Sequence, residues 1–314
     1  MLASVRAPAR WRGCIAALVA LGASGCFLDR QPLEGPLDGG RRDAGQARDA
    51  GGRHEDAGAG PEDGGPHDAG PPDAGPPDAG PDSGPPIVPL TVTGGLLVHF
   101  DAQRVAGDGV PGSSPPTWVD LTGGNDAACN NVRLVADGIG AGRPAMRTNG
   151  DSLSKCVFPI PDFADLTIFV VLRTEDARSA GNWWESPVIV GGDAAGDKRD
   201  AALFLSGGQL GFARRNTPFQ TAFAIADGAP HVVSLVRVRG SGETTIRVDA
   251  DSAETQTIDA GGHIQDPNTW WLASHGIDGN GGLAASYGEV LIYTRALSPG
   301  EIDEVGVYLR ARWL

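Results

Sequence analysis

The sequence has little lysine and no surplus of positive charge. Only Lys155 and Lys198 are lysines among its 25 basic residues, a bias that we attribute to a GC-rich genome rather than to function. Acidic residues outnumber basic ones by 39 to 25, which gives the 314 residues a formal charge of −14. A protein that binds the phosphates of a nucleic acid needs a surface rich in lysine and arginine. The composition therefore predicts no nucleic-acid partner.

The sequence also lacks the motifs of several catalytic sites. It contains no Gly-x-Ser-x-Gly nucleophile turn, no His-Glu-x-x-His metal motif and no glycine-rich phosphate loop. These absences favour a binding or structural role over catalysis.

Residues 1–25 have the order of segments found in a secretory signal peptide. A basic stretch without acids precedes an apolar run, Ile15–Leu21, which is too short to span a bilayer permanently. Small residues then lead to Cys26, an arrangement that resembles the lipobox of bacterial lipoproteins and implies that Cys26 carries lipid. Phe27 stands where aspartate would favour the inner membrane, so we expect an anchor at the outer membrane or cell surface. The alternative is ordinary cleavage, with Cys26 incidental.

Residues 26–88 are expected to form a disordered linker. Asp-Ala-Gly recurs at 43, 49, 56, 68, 73 and 78, with a late five-residue period that matches neither helix nor strand. Between Phe27 and Val88 lie 13 acids and 5 arginines, with almost no large apolar residue after Leu37. Such a segment cannot bury enough surface to offset its loss of conformational entropy. We expect a solvated spacer between membrane and domain; calcium or partner binding by the aspartates is the alternative.

Residues 89–314 are predicted to form one all-β domain. Short apolar runs alternate with turn residues, and no segment has the spacing of a βαβ unit. A helix is expected near the C-terminus, where Ser298 and Glu301 have the spacing of a capping box around Pro299. We therefore predict a two-sheet antiparallel sandwich with a short C-terminal helix. The expected strands are Leu96–Phe100, Leu166–Leu172, Pro187–Val190, Ala201–Leu205, Val232–Val238, Thr245–Val248 and Val290–Tyr293.

Five segments of the domain follow one another in an order that is typical of a known family. They are Val98–Ala102, Trp118–Ala127, Leu166–Val171, Asp227–Val233 and Gly288–Ser298. In this order the sequence resembles bacterial concanavalin A-like (laminin G-like) domains over nearly all of 95–313, which implies a jelly-roll sandwich. Proteins with this fold include lectins, glycosidases, adhesion modules and spacers, so the fold does not determine the function.

Glycosidases of this fold carry a Glu-x-Asp-x-Glu or similar strand. The nearest string here is Glu301, Asp303 and Glu304, but Val305 follows where the last acid is needed. These acids also lie in the first turn of the expected helix, where the helix dipole stabilises them without catalysis. We therefore expect no catalytic site. An extracellular glycan-processing enzyme with an unrecognised site is the alternative.

The only two cysteines of the predicted domain, Cys129 and Cys156, are expected to form a disulfide. A pair of cysteines in an exported domain favours oxidation, and two thiols alone make no zinc site. In the chain-entropy model a loop of this length contributes ~3.5 kcal/mol to stability.

Two tryptophan pairs are candidate ligand contacts. Trp183 and Trp184 lie in an expected loop, where exposed rings could stack on sugars. Trp270 and Trp271 lie in an expected strand, so their side chains point to opposite faces and one could line a concave sheet. The alternative is that these large rings belong to the core.

Calcium is the cofactor to consider, because the resemblance implies relatives that bind it. Asp278 and Asn280 lie in a glycine-rich loop and offer the oxygen donors that calcium prefers, as do Asp193 and Asp197. The same turn residues are common without a metal.

The sequence thus predicts an exported, lipid-anchored protein whose domain binds a glycan or a cell-surface protein without chemistry. A structural adhesion or spacer module without a small ligand is the further alternative.

Overall fold

The computed structural model describes residues 88–105, 112, 114, 117–162, 164–192, 200–249, 252–261, 269–274 and 281–314, which all belong to one compact unit. Within these residues the chain forms two antiparallel sheets and one α-helix, as predicted. No helix in this part of the chain is both long and apolar enough to cross a membrane.

Sixteen strands and one α-helix are present in the described residues. In chain order they are β1 (Leu96–Asp101), β2 (Thr117–Trp118), β3 (Ala127–Asn130), β4 (Arg133–Gly140), β5 (Arg143–Arg147), β6 (Lys155–Pro159), β7 (Leu166–Thr174), β8 (Val188–Gly192), β9 (Ala201–Ser206), β10 (Gln209–Arg214), β11 (Thr217–Ala224), β12 (Pro230–Arg237), β13 (Glu243–Val248), β14 (Ser252–Thr257), β15 (Thr269–Leu272), β16 (Ala285–Tyr293) and α1 (Pro299–Trp313).

The strands divide into two eight-stranded sheets. Sheet A has the order β14-β13-β12-β7-β16-β5-β4, and β1 also pairs with β16. Sheet B has the order β11-β10-β9-β8-β15-β6-β3-β2. Strands that are distant in sequence therefore lie side by side, and side chains that meet on one face come from separate parts of the chain.

The core lies between the sheets and is dominated by aromatic and β-branched side chains. Phe100 of sheet A stacks on Trp118 of sheet B with ring centroids 5.3 Å apart, and meets Phe158 edge-on at 5.2 Å. All three are buried. Large aromatic side chains contribute strongly to core stability, so this cluster holds the two sheets together.

Helix α1 covers one half of the outer face of sheet A. It begins at Pro299, and Ser298 and Glu301 form the predicted capping box. Its buried stripe includes Ile302, Val305 and Leu309, which follow one another at helical spacing. Because sheet B lies on one side and α1 on the other, β7 is apolar along most of its length.

The predicted disulfide is present. Cys129 of β3 and Cys156 of β6 are directly opposite each other in sheet B and are bonded. Other predictions lie outside the described residues, namely lipidation of Cys26, the linker as far as residue 87, and the candidate calcium ligands Asp193, Asp197, Asp278 and Asn280.

One strand departs from the expected alternation. The sequence favours a half-buried strand in which Val236 and Val238 point to one face and Arg237 points to the other. In the structure Arg237 is fully buried and Val238 is exposed. Arg237 donates a hydrogen bond from an Nη to the Asp259 carbonyl at 2.7 Å. Its side chain continues the inward face of Leu235, because alternate residues of a strand share a face.

Candidate functional site

An open groove of about 920 Å³ lies on the outer face of sheet A. Its walls come from β4, β5, the end of β7 and the start of β16. Tyr287 fixes the orientation of β16, because its hydroxyl donates to the Ile189 carbonyl of sheet B at 3.0 Å and so points inward. Ser286, one residue earlier, therefore faces outward into the groove.

Three arginines and Ser286 form one row across the groove. Arg133 of β4 is directly opposite Arg147 of β5, and Arg147 is directly opposite Ser286 of β16. Ser286 is in turn directly opposite Arg173 of β7. The four residues thus occupy successive positions on four adjacent strands, and we call them the arginine row.

The arginines of this row are incompletely paired. Arg173 donates from Nε to the Gly228 carbonyl at 2.6 Å, which fixes its guanidinium. Arg133 and Arg147 are exposed and make no hydrogen bond or ion pair with any residue that the structure describes. Like charges directly opposite each other in a sheet are destabilising, so the row concentrates positive potential in an acidic chain.

Acidic residues are also present in the groove, but one of them is already bound. Asp176 accepts two hydrogen bonds from Arg178, at 2.5 and 2.8 Å, and one from the Ala284 amide at 3.1 Å. Burial acts to raise the pKa of Asp176, but these hydrogen bonds outweigh it and the pKa is lowered. Asp137 and Glu175 complete the acidic lining. Arg178 therefore pairs with Asp176 and leaves the charge of the arginine row uncompensated by this acid.

The groove requires a glycine in β4. A Cβ atom on Gly138 would lie 2.4 Å from the Cβ of Ala145 and 2.6 Å from a methyl of Val135. Only glycine allows the two strands of this hairpin to approach so closely, and Gly138 thereby shapes one wall.

A second cluster of ionisable residues lies beneath α1. Glu289 of β16 is fully buried and accepts hydrogen bonds from Tyr308 Oη and Trp313 Nε1, both at 2.6 Å. His99 Nε2 lies 2.7 Å from its Oε1. Arg312 approaches its Oε2 at 3.4 Å. This Glu289 network joins the helix to the sheet.

Asp101 belongs to the same network. Arg312 donates to its Oδ2 at 2.5 Å and the Gln103 amide to its Oδ1 at 2.8 Å. Burial, followed by the nearby Glu289, raises the pKa of Asp101. His99 and Asp101 are two positions apart on β1 and therefore share a strand face.

The Glu289 network is a poor metal site. Ligand atoms of His99, Asp101 and Glu289 lie within 4.8 Å of one another. A hard cation such as calcium prefers six to eight oxygen ligands, but here Arg312 supplies the positive charge and α1 covers the group. Its role is structural.

The four candidate tryptophans divide between core and surface. Trp183 is 5% exposed and packs against Phe204 with centroids 6.4 Å apart, and Trp270 is 2% exposed in the main core. Trp184 and Trp271 are half-buried. Trp271 is directly opposite Gly191, which offers no side chain beside the ring. Only these two rings can present a partial face to a ligand.

His231, near the start of β12, links two loops at one end of the strands of sheet A. Its Nδ1 lies 2.7 Å from Oδ2 of Asp249, and its Nε2 lies 3.1 Å from Oδ1 of Asp227. The hydrogen bond with Asp249 raises the pKa of His231, and together with a smaller contribution from Asp227 it outweighs the opposing effect of burial.

The raised pKa of His231 gives an expected pH dependence. The folded state binds the proton more tightly, so His231 stabilises the fold fully below the unfolded pKa of about 6.5. This contribution, on the order of 1 kcal/mol, is lost as the pH rises through the folded pKa. In urea titrations of the native chain, the free energy of unfolding should fall as the pH rises above 6. In His231→Gln this pH dependence should be absent. Equal pH slopes in both chains would contradict the assignment.

No pattern in the sequence indicates the arginine row. Arg133, Arg147 and Arg173 lie on three separate strands and Ser286 on a fourth, and only the strand register brings them together. Glu289 lies within a segment that carried the family resemblance, but its partners come from the helix 19 and 24 residues later.

No family model and no curated protein matches this chain. Several solved structures share a similar arrangement of strands. One is the binding domain of Paraclostridial Mosquitocidal Protein 1, with 15% identity and a TM-score of 0.49 over 69% of this chain and 52% of that chain. Another is Trypanosoma rangeli sialidase in complex with sialic acid, with 15% identity and a TM-score of 0.48 over 72% of this chain and 35% of that chain.

A third is the ligand-binding domain of botulinum neurotoxin serotype D in complex with N-acetylneuraminic acid. It is 12% identical with a TM-score of 0.48, over 68% of this chain and 50% of that chain. This chain therefore spans about half, or less, of the length of these three structures. Identities of 12–15% with TM-scores below 0.5 carry no information about the function of this chain.

Proposed function

We propose that this domain is a carbohydrate-binding module without catalytic activity, and that the groove on sheet A is its binding site. The observation that carries the proposal is the groove itself. Its volume of about 920 Å³ is at the upper end of the range for small-ligand sites, about 300–1,000 Å³. Its lining is mostly polar, with hydroxyl, amide and guanidinium groups that suit the hydroxyl groups of a sugar.

The positions of the carboxyl groups support a role without chemistry. A glycosidase needs one carboxylic acid with a raised pKa and a second carboxylate across the substrate. In the groove, the pKa of Asp176 is lowered and Arg178 holds its oxygens. Asp101 has the raised pKa, but it lies beside Glu289 under α1, where no sugar can reach.

The proposed location is the cell envelope, through a lipid on Cys26 and an extended acidic linker. The disulfide between Cys129 and Cys156 supports export, because such bonds form and persist in oxidising compartments. A domain held on a spacer outside the membrane meets envelope or environmental glycans, which agrees with a binding role. Calcium at Asp278 and Asn280 remains part of the proposal.

Trp184 and Trp271 offer a second candidate surface on sheet B. Their half-buried rings could stack on a sugar, and the absent side chain at Gly191 leaves one flank of Trp271 uncovered. We rank this surface below the groove because neither ring belongs to the lining of the groove.

The test is binding of the purified full chain to a panel of insoluble polysaccharides and to affinity gels that contain soluble ones. Each assay is run with calcium or with a chelator, and released reducing sugar is measured in parallel. We expect binding without sugar release. Glu175→Trp places a bulky ring at the rim of the groove and should abolish binding, although it removes a negative charge. Glu243→Trp, at an exposed acid outside the groove, is the matched control and should bind normally.

Each outcome separates the alternatives. Loss of binding only in Trp184→Ala or Trp271→Ala would move the site to sheet B. Sugar release would show that the protein is an enzyme. Absence of binding to every glycan would overturn the proposal and leave protein contact or a spacer role, whereas sensitivity to the chelator would establish the metal.

A further inference from the structure

We infer that the arginine row is a subsite for an oxyanion carried by the glycan, either a carboxylate or a sulfate ester, so that the protein recognises acidic polysaccharides. This inference rests on the proposed function and specifies the class of its ligand. The oxyanion would lie over Ser286 and accept hydrogen bonds from the Ser286 hydroxyl and from Arg147 and Arg173 on either side.

The register of sheet A supplies this geometry. Neighbouring strands lie about 4.8 Å apart, and Ser286 is directly opposite Arg147 on one side and Arg173 on the other. The Cα atoms of Arg147 and Arg173 therefore lie roughly 10 Å apart, with the short side chain of Ser286 between them. An arginine side chain is long enough to reach half of this distance, so Arg147 can reach an anion above the serine. Arg173 is bonded through Nε to the Gly228 carbonyl on the β12 side of β7, so it would contribute through its Nη atoms. The guanidinium fork matches the paired oxygens of a carboxylate or sulfate.

The hydrogen bonds at the site leave its donors available. Ser286 is only 5% exposed, yet its hydroxyl makes no hydrogen bond within the described part of the chain. Arg147 likewise has no partner there. Arg173 is held by the Gly228 carbonyl through Nε, which orients the guanidinium before the ligand arrives. Preorganised donors lower the entropy cost of binding.

The charges of the row favour an anion over a neutral sugar. Arg133 directly opposite Arg147 is a repulsive pair that a bound anion would relieve. Asp176 of the groove accepts hydrogen bonds from Arg178 and therefore does not neutralise the arginine row. Glu175 and Asp137 flank the groove and oppose a dense polyanion, which favours a glycan with isolated charges.

The experiment uses two pairs of glycans that differ only in charge. Polygalacturonate is compared with its methyl ester for the carboxylate, and dextran sulfate with dextran for the sulfate, by affinity electrophoresis of the purified full chain. We expect one charged member to bind at least ten-fold more tightly than its neutral partner. Higher ionic strength should weaken this binding, since the Debye length falls to about 8 Å at 0.15 M salt.

Variants assign the effect to the row. Arg147→Gln should weaken binding of the charged glycan about ten-fold or more, because a charge-assisted hydrogen bond is lost. Arg147→Lys keeps the charge but not the fork, and should lie between Arg147→Gln and the native chain. Lys155→Gln removes the same charge from sheet B and should bind normally.

A further variant tests the site from the opposite direction. Ser286→Asp places a carboxylate between Arg147 and Arg173, so it should abolish binding of the charged glycan while raising the Tm. A raised Tm shows that the variant is folded, which separates competition for the site from misfolding.

The outcomes distinguish this inference from the proposed function. Equal binding of the charged and neutral members, unchanged by Arg147→Gln, would overturn the oxyanion subsite and keep the carbohydrate-binding function. Binding of dextran sulfate that is insensitive to Arg147→Gln would also overturn it, because the contact would then be unspecific attraction. Failure to bind any glycan would overturn both.

Discussion

Glu289→Ala should destabilise the domain by about 3–5 kcal/mol, the cost expected when one partner of a buried, hydrogen-bonded ionic group is removed. The side chain is fully buried and is the shared acceptor for Tyr308, Trp313 and His99. Its removal leaves these donors without their acceptor beneath α1, and Arg312 loses one of its two carboxylate partners. The helix α1 would lose its main polar attachment to sheet A.

The measurement is the free energy of unfolding from urea titration, together with far-UV circular dichroism of the native state. Glu289→Gln should lower the free energy of unfolding by less than Glu289→Ala, because the amide oxygen can still accept a hydrogen bond from Tyr308. Part of the cost remains, because the amide nitrogen cannot accept from Trp313. Glu243→Ala, at an exposed acid on β13, is the control and should change stability by less than about 0.5 kcal/mol. A cost below 1 kcal/mol for Glu289→Ala would show that the helix is held by its apolar stripe alone.

β16 explains why an open groove and a structural network can share one sheet face. Its register shifts between Tyr287 and Glu289, where it pairs with β7. A Cβ on Gly288 would come within 2.8 Å of the Trp313 ring, so glycine is needed where the helix approaches the strand. Ser286, before this point, faces the groove, and Glu289, after it, faces α1. The helix therefore covers one half of the outer face and leaves the other half open.

Local patterns were sufficient to predict the fold class and several of its elements. The run Leu166–Leu172 forms the centre of β7, and the capping residues at Ser298 begin α1 as expected. The segment after Trp118 also has a local explanation. The Asp120 carboxylate accepts hydrogen bonds from backbone amides of His99, Thr122, Gly124 and Asn125, so this part of the family resemblance reflects loop structure.

The candidate site could not be predicted in the same way. Arg147 and Ser286 are 139 positions apart, and they become neighbours only through antiparallel pairing of β5 with β16. A sequence pattern of period two identifies which residues share a face of one strand, but it contains no information about which strand lies alongside. Residue type alone made the tryptophans candidate ligand contacts, and burial in the structure excludes Trp183 and Trp270 from that role.

Reduction of the Cys129–Cys156 disulfide should lower the free energy of unfolding by about 3.5 kcal/mol, because the bond closes a loop of 27 residues. For a domain of this size the Tm should fall by roughly 7–14 °C. Thermal unfolding with and without reductant measures the effect. A variant with both Cys129→Ser and Cys156→Ser should unfold at the reduced temperature and show no further response to reductant, which excludes any contribution from other cysteines.

The disulfide should also affect the groove, because of what its loop contains. The chain leaves sheet B after β3, forms β4 and β5 in sheet A, and returns to sheet B as β6, so the bond clamps the base of the hairpin that carries Arg133 and Arg147. Without it the hairpin depends on its own pairing with β16, which covers only two residue pairs, Ser286 with Arg147 and Tyr287 with Met146. Below its reduced Tm, the double serine variant should therefore bind the charged glycan more weakly than the native chain. Unchanged binding together with a lowered Tm would show that the pairing with β16 alone positions the arginine row.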